Sequence, residues 1–297
     1  MFKLKLRKKS EKCLKEDKPI LTVFTVLFAI YAAVLIFVFV WIIINSFKTR
    51  NDFYSESKNF FPTEGWHFDN YLFLFENTFH DKSLSQMFLT SIILCITIPT
   101  ISVAVTTCLA YVLAKYKFKG NKFIYFLFIL PMLIMITGTT ATLWDVLNSV
   151  NLVDTYFGYI LISIGVSSMN FLLVYGTFKN VSDSYIEAAK IDGASDFKIF
   201  IKIMLPEALG IIGTIWMLGF IGVWNEYASI NIFLPSYPTV SVGVQQIGTD
   251  IKLLHDNYGD YPKYFAAIMT SIIPIVILFL VFQKRILKMS LGGGIKG

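Results

Sequence analysis

Six stretches of this 297-residue chain are long and apolar enough to cross a bilayer, and nothing else in it restricts folding as much. A helix needs about 20 mainly apolar residues to span the hydrocarbon core. In lipid every backbone donor and acceptor must be paired internally, which leaves only helices and closed barrels. The stretches lie at 20–44, 87–114, 123–144, 156–178, 208–235 and 264–282. The predicted fold is all-α, a polytopic membrane protein with six transmembrane helices. Composition agrees: 15% of residues are charged, against about 25% in soluble domains. The first stretch follows a basic lead, but it is too long for a signal peptide and lacks a small-residue cleavage site. It is read as a retained span.

Lysine and arginine placement orients the bundle. Eight lie in the lead up to Lys18, four between Lys115 and Lys122, four in the 179–206 loop and four from Lys284 onward, leaving six of the 26 on the other side. By the positive-inside rule both termini and the 179–206 loop are cytoplasmic. The expected organisation is a basic cytoplasmic segment at 1–19, a first span at 20–44 and an external loop at 45–86. A five-helix core follows at 87–283, with a cytoplasmic tail at 284–297. The charges are scattered among membrane flanks and form no single groove, so a nucleic-acid partner is not expected. In the external loop, Phe53, Phe60, Phe61, Trp66 and Phe68 suit either a lid or an aromatic belt at the lipid headgroups. Pro99, Pro131 and Pro274 lie inside spans, where each removes a backbone donor and favours a kink.

The loop from Lys179 to Pro206 is the most informative polar segment. Ser184 and Glu187 have the spacing of a capping box at a helix start. Gly193 suits the left-handed position that ends a helix, and Ser195 can cap the next one. Ala188 and Ala189 leave a flat surface that a partner can approach closely. The expected structure is a short helix, a glycine elbow and a second helix at the membrane face.

Catalytic signatures are absent. Cys13, Cys95 and Cys108 have no metal or redox spacing, and His67, His80 and His255 form no His-Glu-x-x-His pattern. There is no glycine-rich phosphate loop and no Gly-x-Ser-x-Gly elbow. The chain shows no sign of being a catalyst by itself. An ion-driven secondary transporter would show inverted repeats and several intramembrane ionisable groups. Here Glu226 is the one acid placed within an apolar stretch.

The spacing Glu187-Ala188-Ala189, Gly193, Ile203-x-Leu205-Pro206 resembles the EAA loop of ABC-importer permeases. Further fragments resemble the carbohydrate, maltose-type branch of that family in order and spacing. They include Asn45-Ser46-Phe47-Lys48, Asn70-Tyr71, Ala110-Tyr111-Val112-Leu113-Ala114-Lys115, Trp224-Asn225-Glu226-Tyr227 and the glycine-rich end Gly292 to Gly297. Met289-Ser290-Leu291 departs from the pattern expected before that end.

The resemblance implies a permease in a prokaryotic cell membrane that translocates a sugar or oligosaccharide, or another polar solute such as a polyol or glycerol phosphate. Its implied partners are a second permease chain, two ATPase subunits carrying ATP and Mg, and an external solute-binding protein. No cofactor is expected on this chain. Glu187, Ala188, Ala189, Asp192 and Gly193 would form the ATPase-docking helix. If Glu187 pairs with a basic ATPase residue in a desolvated contact, losing one partner costs about 3–5 kcal/mol; exposed, the pair is worth only about 0–1 kcal/mol. Trp224, Asn225, Glu226 and Tyr227 either line the translocation pathway or sit at the outer interface, with Glu226 paired to a partner-subunit donor. Gly294, Ile295, Lys296 and Gly297 would reach the ATPase subunits, unless they form a frayed end.

Overall fold

The structure, a computed structural model, describes residues 18–55, 59–79, 81–134, 138–253 and 260–292. It divides into two compact units, one formed by residues up to 72 with 260–269 and the other by 73–259 with 270–297.

The first unit opens with α1 (Lys18–Ser46), a 29-residue helix that is apolar on every side. Such a helix needs lipid or another protein around it, and most of its large side chains are exposed in this chain. Its end is tied down by polar contacts. Asn70, at the start of α3, donates through Nδ2 to the carbonyls of Ser46 and Lys48 at 2.8 and 2.9 Å. Tyr71 Oη and Ser46 Oγ share a hydrogen bond. The short helix α2 (Arg50–Tyr54) is capped by Thr49, and its buried Asp52 accepts the Thr63 N–H at 2.9 Å. Trp41, Phe53, Tyr261 and Phe265 pack ring on ring around it. The segment after the first span is thus a built cap of polar clamps and aromatic packing. The Asn-Ser-Phe-Lys and Asn-Tyr fragments of the sequence are the two halves of one clamp.

Helix α3 (Asp69–Glu76) leads into the second unit, where β1 (Thr78–Phe79) and β2 (Lys82–Ser83) form a minimal hairpin. Ser83 and Gln86 make a complete capping box at the start of α4 (Leu84–Lys115), a 32-residue span. The other elements are α5 (Asn121–Leu133), α6 (Thr140–Ser149), α7 (Tyr156–Ser163), α8 (Ser168–Asn180), α9 (Asp183–Ile191), α10 (Asp196–Ile199), a π-helical turn (Phe200–Met204), α11 (Leu205–Asn225), α12 (Ala228–Phe233), α13 (Val240–Leu253) and α14 (Tyr261–Gly292).

Three expected spans are drawn differently. The 123–144 stretch is the 13-residue α5, ending two residues after Pro131, with α6 as a separate helix. The 156–178 stretch is the pair α7 and α8, bent by 61° across a short break. The 208–235 span begins earlier, since helical backbone runs from Asp196 to Asn225 and stops at Glu226. Hydropathy locates apolar blocks but does not register backbone breaks. Among the described residues, four single helices and this bent pair are long and apolar enough to cross a membrane. Pro99 and Pro274 lie within continuous helices.

Helix α4 is the axis of the second unit, with α8 and α11 packed against it. Small side chains allow the approach, as expected where lipid removes the hydrophobic drive between helices. A Cβ on Gly219 would lie 3.2 Å from Pro99 Cβ. Two buried clusters result. One gathers Leu94, Ile98, Leu147, Tyr159, Ile230, Phe233, Leu234 and Val242. The other gathers Ala110, Tyr111, Phe171, Phe178, Ile199, Met204 and Ala208 beneath the 179–206 loop.

Candidate coupling site

The 179–206 loop is built as a helix, an elbow and a second helix. Ser182, not Ser184, caps α9: its Oγ accepts the Ser184 N–H. The helix starts two residues earlier than the capping-box reading of Ser184 and Glu187 requires, so both of those residues are already inside it. Asp183 favours that early start, because an acidic side chain is stabilised at a helix N-terminus. It is also fixed from outside. Lys115, the last residue of α4, donates through Nζ to Asp183 Oδ1 and to the Val181 carbonyl, both at 2.6 Å. That hydrogen bond, and the ammonium charge behind it, hold the Asp183 carboxyl below its usual range.

The elbow forms as the sequence suggests. Gly193 adopts φ +76°, the left-handed region that side chains resist. Its N–H reaches the Lys190 carbonyl at 3.0 Å, and the Ala194 N–H reaches Ala189 at 2.9 Å, closing the end of α9. Ser195 caps α10 through the Lys198 N–H. Lys190 and Asp196 pair across the elbow at 3.0 Å. In the π-helical turn the Leu205 N–H reaches back to Phe200. Pro206 follows in the first turn of α11, where a missing donor costs little.

Helical periodicity then sorts the side chains. Ile186 and Ala189 pack inward on the buried cluster. Ala189, expected on the docking surface, is partly buried against that cluster. Glu187, Ala188 and Asp192 are exposed. Beside them lie three large residues that the motif did not single out: Tyr185, Ile191 and Phe197, which are 63, 86 and 74% exposed. Tyr185, Ala188 and Ile191 recur at three-residue intervals on one face of α9. Exposed apolar residues carrying helical spacing in an otherwise polar loop were a signal available in the sequence.

The Trp224–Tyr227 block lies at the break between α11 and α12. Trp224 is 2% exposed, stacks on Phe220 and donates through Nε1 to the Ser271 carbonyl at 3.1 Å. It is a packing residue in this chain. Asn225 and Tyr227 are exposed, and Asn225 Nδ2 bonds back to the Ile221 carbonyl. The Glu226 carboxylate accepts the Ser229 N–H at 2.9 Å, and its carbonyl accepts Ser241 Oγ. The acid thus ends one helix and caps the next, a local role that motif reading did not reveal. Gly294, Ile295, Lys296 and Gly297 lie outside the described residues.

Known proteins with similar sequence and structure are transport components. The chain is 24% identical to the diacetylchitobiose uptake system permease protein NgcG of Streptomyces coelicolor, over 91% of this chain and 87% of that one. It is 27% identical to the galactooligosaccharides transport system permease protein GanQ of Bacillus subtilis, over 91% and 94%. Its fold matches a chain in the crystal structure of a bacterial ABC transporter that imports the acidic polysaccharide alginate. That match has a TM-score of 0.76 at 24% identity and covers 91% of this chain and 97% of the other. Residues 72–288 match the family described as "Binding-protein-dependent transport system inner membrane component". The chain belongs to that family: it is a polytopic membrane component of a binding-protein-dependent transport system.

Proposed function

We propose that this chain is a permease subunit of an ATP-driven importer for an oligosaccharide, and that the Ser182–Pro206 segment is where the ATPase pushes on it. The α9 face made by Tyr185, Ala188 and Ile191, with exposed Phe197 beyond the elbow, carries the reading. These side chains are exposed on a loop whose capped helix ends, elbow hydrogen bonds and ion pairs hold it in one shape. A rigid apolar surface of this kind can take up a push without deforming. Glu187 and Asp192 rim it with negative charge, suited to basic residues on an ATPase. ATP and Mg would be held by that partner, with a second permease chain completing the pore.

In this reading both termini and the loop face the cytoplasm, following the lysine and arginine bias. An external binding protein delivers the sugar. The relatives named for diacetylchitobiose and galactooligosaccharides favour short oligosaccharides over ions or lipids. Asn225 and Tyr227, exposed at the break after α11, supply hydrogen-bonding and aromatic groups for a pathway, with the half-buried Glu226 between them. The carboxy-terminal Gly294 to Gly297 would extend toward the ATPase subunits.

Purification of the complex from its native membrane, followed by identification of its subunits, is the test. The expected result is co-elution of an ATPase and a second permease, with deletion of this chain abolishing uptake of at least one of a panel of radiolabelled oligosaccharides. A chain that purifies alone, and whose deletion leaves all sugar uptake intact, would overturn the proposal.

A further inference from the structure

We infer that Lys115 is the positioning residue that makes α4 move with the coupling helix; this rests on the coupling reading above. Lys115 is the last residue of α4 and only 5% of its side chain is exposed, although it carries a charge at the membrane face. It is not spent on solvent or on a lipid headgroup. Its ammonium bonds the Val181 carbonyl just before α9 and the Asp183 carboxylate in the first turn of α9. One side chain therefore spans from a 32-residue membrane helix to the base of the docking face.

The neighbouring groups make the same connection. Tyr111, one turn earlier on α4, packs on Phe200 of the π-helical turn with ring centroids 4.8 Å apart and on Phe178 at 5.8 Å. Asn121 Nδ2 bonds the Leu113 and Tyr116 carbonyls and so fixes the end of α4 against the start of α5. The cytoplasmic end of α4 is therefore held on both sides of the elbow, by packing at the π-helical turn and by a charged strap at α9. Apolar packing is non-directional, so the ring contacts can slide while staying buried. The two directed hydrogen bonds of the Lys115 ammonium fix one geometry, so Lys115 carries α9 with α4 when the ATPase opens and closes.

The test uses the assembled complex in lipid nanodiscs, with spin labels at Ser184 on α9 and at Lys119 in the loop after α4, both exposed. The label-to-label distance is read with Mg-ATP and vanadate, and again without nucleotide. The unsubstituted pair should hold one distance in both states. Lys115→Met keeps the stem and removes the donors; its distance distribution should broaden and shift on ATP binding. Lys115→Arg should restore the single distance. In sealed proteoliposomes of the same complex, uptake of a mixture of radiolabelled diacetylchitobiose and galactooligosaccharides per ATP hydrolysed should fall about tenfold in Lys115→Met, at unchanged ATPase binding.

If Lys115→Met fails to assemble, Asp183→Lys on the exposed end of the same strap should reproduce both effects, with Asp183→Ala intermediate. A constant distance and an unchanged transport-to-hydrolysis ratio in Lys115→Met, or in Asp183→Lys when that variant is used, would overturn the inference. Failure of the unsubstituted complex to bind an ATPase would instead sink the coupling reading itself.

Discussion

Gly193 shows what a single residue decides here. Nothing lies within 4 Å of a Cβ built on it, so a side chain would meet open space, and only the backbone angle of +76° opposes substitution. The left-handed region costs an ordinary residue roughly 1–2 kcal/mol, and a β-branched one is a worse fit still. Gly193→Val should therefore leave membrane levels normal and abolish uptake, whereas Gly193→Asn, which tolerates that region, should keep most of it. Equal uptake by both variants would show that the elbow angle does not matter. Asp183 gives the pH counterpart. Its carboxyl pKa is lowered by Lys115, so its contribution is fully present above the ordinary carboxylate pKa and is lost only as pH falls through the lowered value. The strap should not change between about pH 5 and 8, a range in which an unperturbed carboxylate is already ionised. Infrared carboxylate bands that titrate within that range and vanish in Asp183→Asn would contradict this.

At the scale of elements, cap positions separate what sequence spacing suggests from what the backbone does. Ser182 and Ser195 hold cap hydrogen bonds, and Ser184 does not act as the cap. Replacing a capping serine by alanine costs about 1 kcal/mol of helix stability. Ser182→Ala and Ser195→Ala should each loosen the loop to limited proteolysis or amide exchange, while Ser184→Ala should change little. The elbow glycine and the Ser195 cap were legible because each rests on one residue type at one offset. The start of α9 was not, because a lysine 68 residues away selects it. The same distinction holds elsewhere. The Asn45–Lys48 and Asn70-Tyr71 fragments were recognisable as text, but that one clamps the other required the fold. Trp224 and Glu226 read as groups of either the pathway or the outer interface from their types alone, whereas packing on Phe220 and capping toward Ser229 are tertiary facts. The bend between α7 and α8 left no mark in hydropathy, because both arms are apolar.

Across the whole molecule, the apolar blocks gave the class of fold directly, since lipid allows few alternatives. The proposed docking face was only partly legible: the motif named Glu187, Ala188, Ala189, Asp192 and Gly193, whereas Ala189 is partly buried and Tyr185, Ile191 and Phe197 supply the exposed bulk. Buried apolar anchors usually dominate an interface, and truncating one costs about 2 kcal/mol or more, roughly a thirty-fold loss of affinity. Ile191→Asp and Phe197→Asp should each weaken ATPase binding by at least that factor without lowering membrane insertion, since both side chains are largely exposed among the described residues.

A photocrosslinking amino acid at Ile191, introduced in cells and activated in isolated native membranes, reports whether an ATPase docks on this face. The expected product is an adduct between this chain and an ATPase subunit, formed with and without nucleotide and lost when Phe197→Asp is added. Adducts that contain lipid or external proteins but no ATPase, in every nucleotide state, would contradict it.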